Sequence, residues 1–439
     1  MSPPRSPRKG MNKASLEQWL QQLECLHPDE IDLGLERVSA VAHKLALLPL
    51  TQPVITVAGT NGKGSTVAVL EALLSETGRS TGVFTSPHFM RFNERIRVDG
   101  NEAADREIVS AFAAIERARD GISLTYFEFA TLAALLVFRA RQPDIVILEV
   151  GLGGRLDAVN IVDPAVAVIT SIDLDHQAWL GRSRGEIARE KAGILRQDTP
   201  VVIADEAPPA ELMTCVSEAA ACPVLCLGRD FTVEKTGEAW QGVLCQADGL
   251  QRVLPKQPHG ALLPSNICAA LQAALLLGAD FSDEQVLTAL GKVAPVGRRQ
   301  SLHLAGRDYV LDVAHNPAAV NKLLENINIT PCKGKNIALF SVMEDKDIHA
   351  IIAAAAGFFD AWFLAEQPAN ARAAAASDVA DLLYGQGQNM ISVSKNLRQA
   401  FRRAQSLMVE GDRLVVFGSF YTVAAVLPLL DKDRSKDGL

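Results

Sequence analysis

The stretch that decides the fold is VITVAGTNGKGSTVAVLEALLSETG, residues 54–78. Val54–Ala58 is a short run of apolar and β-branched residues, the composition of a buried strand. It runs into the glycine-rich turn Gly59-Thr60-Asn61-Gly62-Lys63-Gly64-Ser65, and apolar residues then recur with helical spacing at Val69, Leu70, Leu73 and Leu74, ending at Gly78. Strand, glycine-rich loop and helix in that order are how a parallel α/β sheet with a phosphate-binding loop begins. Glycines let backbone N–H groups approach phosphate oxygens, and the helix start offers the positive end of its dipole. Lys63 would neutralise charge on the β- and γ-phosphates. The loop departs from the common form because Gly64 separates Lys63 from the hydroxyl of Ser65. The pattern specifies nucleotide binding but leaves the fate of the γ-phosphate open.

Outward from this loop, strands are expected at Ile145–Val150, Val166–Ile169 and Val201–Ile203, with a helix over Phe127–Arg139. A second α/β series follows Ala294, with strands at Tyr309–Val313, Ile337–Val342, Ala361–Ala365 and Leu414–Phe417 and helices at Ile348–Ala356 and Asn396–Val409. The alanine run Ala373–Ala376 reads as helix-favouring. The expected class is α/β: a phosphate-loop ATPase-like domain over 1–294 with a mostly parallel sheet, then a smaller Rossmann-like domain over 298–439. Gly291–Gly297, with Pro295, reads as the linker.

A chain of 439 residues exceeds what one core usually serves. A net charge of −8 argues against broad nucleic-acid binding. Seven cysteines, an odd number without metal-like spacing, read as reduced thiols of a cytoplasmic protein. No run of about 20 apolar residues suggests a membrane span. The basic, Pro/Ser-rich start MSPPRSPRKG lacks the apolar stretch of a secretory signal, and Met11 opens a helix-like segment and is an alternative start.

Further blocks follow in order: DLGLER (32–37), SPH (86–88), ERIRVDG (94–100), ILEVGLGGRLDAVN (147–160), DLDHQAWLG (173–181) and AREKAGIL (188–195). GRRQ (297–300), DVAHNP (312–317), MEDKD (343–347) and GSFYTVAAVL (418–427) complete the set. With the phosphate loop, they resemble the folylpolyglutamate synthase/dihydrofolate synthase family of the Mur ligase superfamily over nearly the whole chain. The resemblance implies an ATP- and Mg²⁺-dependent ligase that acts on dihydropteroate, folates and L-glutamate, as the family's bifunctional members do, and a monomer is expected.

Residue roles follow from the same resemblance. Ser86, Glu149 and His176 match magnesium ligands. Lys191 matches a lysine that is carbamylated beside the second magnesium. Asn266 and Arg298 match ATP-phosphate contacts, and Asp312 and His315 match positions at the nucleotide's ribose and base. Asp32, Gly34 and Leu35, together with Thr125, Phe127, Asp157 and Ala158, match the pterin-side pocket. The residues themselves leave blander readings open. Glu149 could be a strand-end acid in a surface ion pair, His176 a structural histidine, Lys191 a solvated helix lysine paired with Glu190 or Glu186, and Phe127 plain core. Val296 replaces the proline expected before Gly297. A monofunctional folylpolyglutamate synthase, a peptidoglycan-type Mur ligase and a nucleotide-hydrolysing switch remain the alternatives.

Overall fold

The computed structural model describes residues 14–27, 31–246, 248–330 and 332–436. The expectations for the first ten residues and for Met11 lie outside them. The chain divides into two compact units: Met1–Ile172, Arg184–Gln257 and Pro264–Val293 form the first, and Asp173–Ser183, Pro258–Leu263 and Ala294–Leu439 the second.

The first unit is built on an eight-stranded sheet. Its strands are β1 (Val54–Ala58), β2 (Thr81–Phe84), β3 (Ile96–Val98), β4 (Asn101–Glu102), β5 (Ile145–Glu149), β6 (Val166–Ile169), β7 (Val201–Ile203) and β8 (Val224–Cys226). The order is β4-β3-β2-β5-β1-β6-β7-β8. From β2 to β8 every pairing is parallel, and β3 and β4 add an antiparallel edge. Every residue of β1, β5 and β6 is buried, as expected of strands covered on both faces. The helix after the phosphate loop, Lys63–Glu76, packs on the helix Pro264–Leu276, which buries it along most of its length. The expected helix over 127–139 spans Tyr126–Arg141, opened by a capping box in which Thr125 and Glu128 exchange side-chain-to-backbone bonds. A small antiparallel sheet formed around Thr232–Thr236, Ala239–Cys245 and Gln251–Val253 was not foreseen.

The second unit carries a six-stranded sheet in the order Gln300–Leu304, Arg307–Leu311, Arg413–Phe417, Asn336–Phe340, Ala361–Ala365, Ile391–Ser394. Only the first pair is antiparallel. Its core holds Phe340, Phe359, Trp362 and Phe417, with Phe340 and Phe417 ring centroids 4.8 Å apart. Strands expected to reach Val313 and Val342 end at Leu311 and Phe340. At the first, the chain leaves the ladder because Asp312 accepts the N–H of Ala314, at 2.7 Å. The alanine run is mostly not helix: Ala373 bridges to Met343 and Ala374 N–H bonds Val342 O, so the helix starts only at Ala376. Gly291, read as linker, lies in the helix Asp283–Lys292.

Candidate active site: a phosphate loop with two converging lysines

The loop after β1 is seated on the end of β6. Thr60 N–H donates to Ser171 O at 2.7 Å, Asn61 N–H to Ser171 Oγ at 3.1 Å, and Thr170 Oγ1 to Asn61 O at 2.7 Å. Gly59 has φ +152°, and a Cβ there would fall 1.8 Å from Thr170 Oγ1. Gly62 caps the helix from the left-handed region at φ 91°, with no side-chain cap. The first-turn N–H groups therefore lack a side-chain acceptor from the cap residue, which suits an anion. Against Gly62 lies the buried amide of Asn266; a Cβ on the glycine would come within 2.5 Å of Asn266 Oδ1.

Two lysines meet at this loop. Lys63 Nζ donates to Gly59 O at 2.9 Å and to Thr60 O at 3.2 Å. Lys191, only 3% exposed, donates to the same Gly59 O at 2.9 Å. The solvated-helix reading of Lys191 is thus wrong: its helix, Arg184–Ala192, turns that residue inward, while Glu190 pairs with Arg155 at 2.8 Å. Glu149, 3% exposed, ends β5 in register with Val57 of β1, and its Oε2 accepts Ser86 N–H at 3.2 Å. Glu149 is no surface acid, and the backbone of Ser86 lies against it. Among the described residues, no group of three or more His, Cys, Asp or Glu side chains forms a metal cage. Magnesium usually takes one or two carboxylates and completes its shell with water and phosphate oxygens, so a buried carboxylate beside a phosphate loop fits it.

The pterin-side candidates also gather in the first unit. The Phe127 ring stands 5.7 Å from that of Phe84, and a Cβ on Gly151 would touch Phe127 Cζ at 2.7 Å and Asp157 Oδ2 at 3.3 Å. Phe127 is half-buried, not sealed in the core. Asp157 accepts N–H bonds from Leu152 at 2.8 Å and Val159 at 3.0 Å. Burial pushes its carboxyl up to about 6, against the pull of those bonds and of the Lys63 charge. Ala158 follows in a buried single turn, Ala158–Ile161. Asp32 pairs with Arg37 in the first turn of the helix Glu36–Lys44, and Gly34 and Leu35 lie between Asp32 and that helix.

In the second unit, His176 sits beside a charge hub that sequence reasoning missed. Asp175, 8% exposed, accepts from Lys346 Nζ at 2.6 Å and Asn316 Nδ2 at 3.1 Å, and its Oδ2 lies 3.2 Å from His315 Nε2. Burial alone would raise the Asp175 carboxyl; His315, Lys346 and His176 together hold it well below the usual range. His176 Nε2 is 3.1 Å from Lys346 Nζ, and burial lowers its pKa to about 4, so it is neutral at pH 7. Neutral imidazole is the form that ligates metals. His315 has both ring nitrogens engaged, Nδ1 with Val313 O at 2.7 Å. The Asp312 carboxylate accepts the N–H groups of Arg299 and Ala314 and organises its loop. Arg298 lies over the Phe420 ring at 4.9 Å. DLDHQ, DVAHNP and MEDKD each carried a member of this hub, but nothing in sequence spacing joins Asp175 to Lys346.

A buried lysine meeting the half-buried lysine of a phosphate loop, a carboxylate–serine pair beside them and a second α/β unit define a Mur-type ATP-dependent ligase. Residues 57–230 match the Mur ligase middle domain, and residues 297–420 the Mur ligase glutamate ligase domain. The chain is 41% identical to the dihydrofolate synthase/folylpolyglutamate synthase of Escherichia coli K12, over 98% of each chain. The structure of E. coli FolC in complex with DHPP and ADP superposes with a TM-score of 0.90 at 38% identity, covering 98% of this chain and 100% of that one. A bifunctional folylpolyglutamate synthase/dihydrofolate synthase solved with Mn, AMPPNP and L-glutamate gives a TM-score of 0.86 at 38% identity, over 97% and 100%. The chain belongs to the dihydrofolate synthase/folylpolyglutamate synthase family.

Proposed function

We propose that this chain joins L-glutamate to dihydropteroate, giving dihydrofolate, and adds further glutamates to folates, using ATP and magnesium. A substrate carboxylate oxygen attacks the γ-phosphorus of ATP and ADP leaves. The glutamate amine then attacks the acyl carbon, phosphate departs, the amine loses a proton and an amide remains. The observation that carries this reading is the buried Lys191 on the carbonyl that Lys63 also binds. A second ammonium there adds like-charge repulsion, and carbamylation would turn it into an anion suited to a cation's surroundings.

Lys63, Asn266 and Arg298 are assigned to the phosphates, and the loop Gly59–Ser65 cradles them through its N–H groups. Arg298 is suited to charge spreading over the transferred phosphoryl group. Ser86, Glu149 and His176 are assigned as magnesium ligands, and the metal would supply charge neutralisation at the phosphates. Asp312 and His315 are assigned to the nucleotide's ribose and base; their loop bonds point to a shaping role there. Asp32, Gly34, Leu35, Thr125, Phe127, Asp157 and Ala158 are assigned to the pterin side, with Phe127 offering a ring face.

The reading extends to a cytoplasmic monomer. All seven cysteines are free, and among the described residues no helix is long and apolar enough to cross a membrane. ADP release with L-glutamate plus dihydropteroate, tetrahydrofolate or a UDP-muramyl substrate tests the activity. Turnover with the first two is expected. Turnover with tetrahydrofolate alone would leave a monofunctional folylpolyglutamate synthase, and turnover only with the muramyl substrate would make it a peptidoglycan ligase.

A further inference from the structure

Arg37 joins two parts of the pterin-side region that are far apart in sequence. It sits in the first turn of the helix Glu36–Lys44, whose Val38, Val41 and Ala42 are buried. That helix packs on the helix Tyr126–Arg141, so the base of the arginine is fixed. Its guanidinium turns back over the irregular segment 31–35. Nη1 reaches Asp32 Oδ2 at 2.6 Å, and Nη2 donates to the backbone oxygen of Asp32 at 2.7 Å. The same Nη2 lies 3.2 Å from Glu128 Oε1. Glu128 is 3% exposed, and its other oxygen, Oε2, accepts Thr125 N–H at 2.7 Å. Between Thr125 and Glu128 in the chain stands Phe127.

One planar fork therefore holds both a side-chain and a backbone oxygen of Asp32 while anchored to the capping box that sets Thr125 and Phe127. Lysine could not reproduce this, because it offers a point charge without the fork's geometry. Residues 31–34 lie outside the strands and helices, and Leu35 joins the helix only through its carbonyl, which accepts Ser39 N–H at 2.9 Å, so the placement of 31–34 depends on such ties. Asp32 is 37% exposed at its side chain, and pairing that open to water contributes little to stability. The tie is better explained by position than by stability.

We propose that Arg37 is a positioning residue that sets the 31–35 segment against Phe127 and thereby determines affinity for the pterin part of the substrate. This rests on the pterin-side reading of that region. The full chain is assayed as Arg37→Gln, Arg37→Lys and Asp32→Asn, with KM measured separately for dihydropteroate, tetrahydrofolate, ATP and L-glutamate, alongside thermal melting. Loss of the charge-assisted tie should raise KM for both pterin substrates by roughly tenfold or more in Arg37→Gln. KM for ATP and kcat should stay within about twofold. Arg37→Lys should restore less than half of the lost affinity, measured as log KM. Asp32→Asn, which leaves the Glu128 contact intact, should shift the same KM in the same direction and covers the case in which Arg37→Gln does not fold. Unchanged pterin KM values with a lowered melting temperature would overturn the proposal and leave Arg37 a structural residue. If the wild-type chain turns over neither pterin substrate, the reading of the site fails instead, and with it this inference.

Discussion

Lys63 and Lys191 donate to one acceptor: each Nζ stands 2.9 Å from the carbonyl oxygen of Gly59. One lysine opens the helix of the phosphate loop, and the other arrives from a helix more than a hundred residues later. Carbamylation of Lys191 would leave one cation and one anion in place of two cations. Lys191→Ala should lower kcat by about 100-fold or more, the scale of losing a preorganised electrostatic group. Added short carboxylates should restore part of it, and labelled bicarbonate should give a carbon-13 carbamate signal in the wild type that Lys191→Ala lacks. Full activity in Lys191→Ala would remove the assignment.

Gly62 tests how closely the loop is packed. Gly62→Ala places a Cβ within 2.5 Å of Asn266 Oδ1 and forces alanine to φ 91°. The strain should cost about 1–3 kcal/mol. Melting curves with and without ADP should show both a lower midpoint and a smaller shift on adding nucleotide. Gly78→Ala, where the added Cβ meets nothing within 4 Å, is the control for strain alone.

Asp175 and Lys346 are nearly sealed from water, with side chains 7% and 5% exposed. Asp175→Asn leaves the Lys346 ammonium with only the more exposed Asp345 carboxylate, at 3.5 Å, as an acid partner, and breaking a buried pair from one side costs at most about 3–5 kcal/mol. The double variant Asp175→Asn/Lys346→Met should recover part of that loss in chemical denaturation. No recovery would mean that Asp175 acts chiefly through His315 and Asn316.

His88 accepts Arg95 Nε–H on Nδ1 at 2.8 Å. Burial first, and the Arg95 charge second, lower its pKa from 6.5 to about 4. Between those values the unfolded chain binds more protons than the folded one, so stability rises with pH across the window and is lost as pH falls through it. Above pH 6.5 the histidine adds no slope. His88→Asn should flatten the dependence of the urea midpoint on pH between about 4 and 6.5, after allowance for His176, which titrates in the same window. An unchanged slope would assign the window to other groups.

The cysteines should divide by exposure. Cys25 and Cys222 are exposed, whereas Cys268 is buried and its thiol is pushed up to about 12. Thiolate is the reactive form. Alkylation at pH 8 followed by peptide mapping should mark Cys25 and Cys222 first and reach Cys268 only after unfolding.

The sequence by itself determined the class of fold and the outline of the site. Val54–Ala58, the glycine loop and the helix after it carry their structure locally, because burial pattern, glycine freedom and helical spacing are all readable within 25 residues. Ser86, Glu149 and Lys191 were marked by the blocks around them. Short strands such as Gln300–Leu304 and Ile391–Ser394 were not legible, since their alternation is weak and ladder partners stabilise them. Only the tertiary structure decided that Lys191 faces Gly59, that Asp175 meets Lys346, and that Arg37 ties Asp32 to Glu128. Such pairs join residues distant in the chain, and at the buried members, Lys191, Asp175, Lys346 and Glu128, what fixes them is the cost of burying a charge without a partner, a constraint that spacing does not encode.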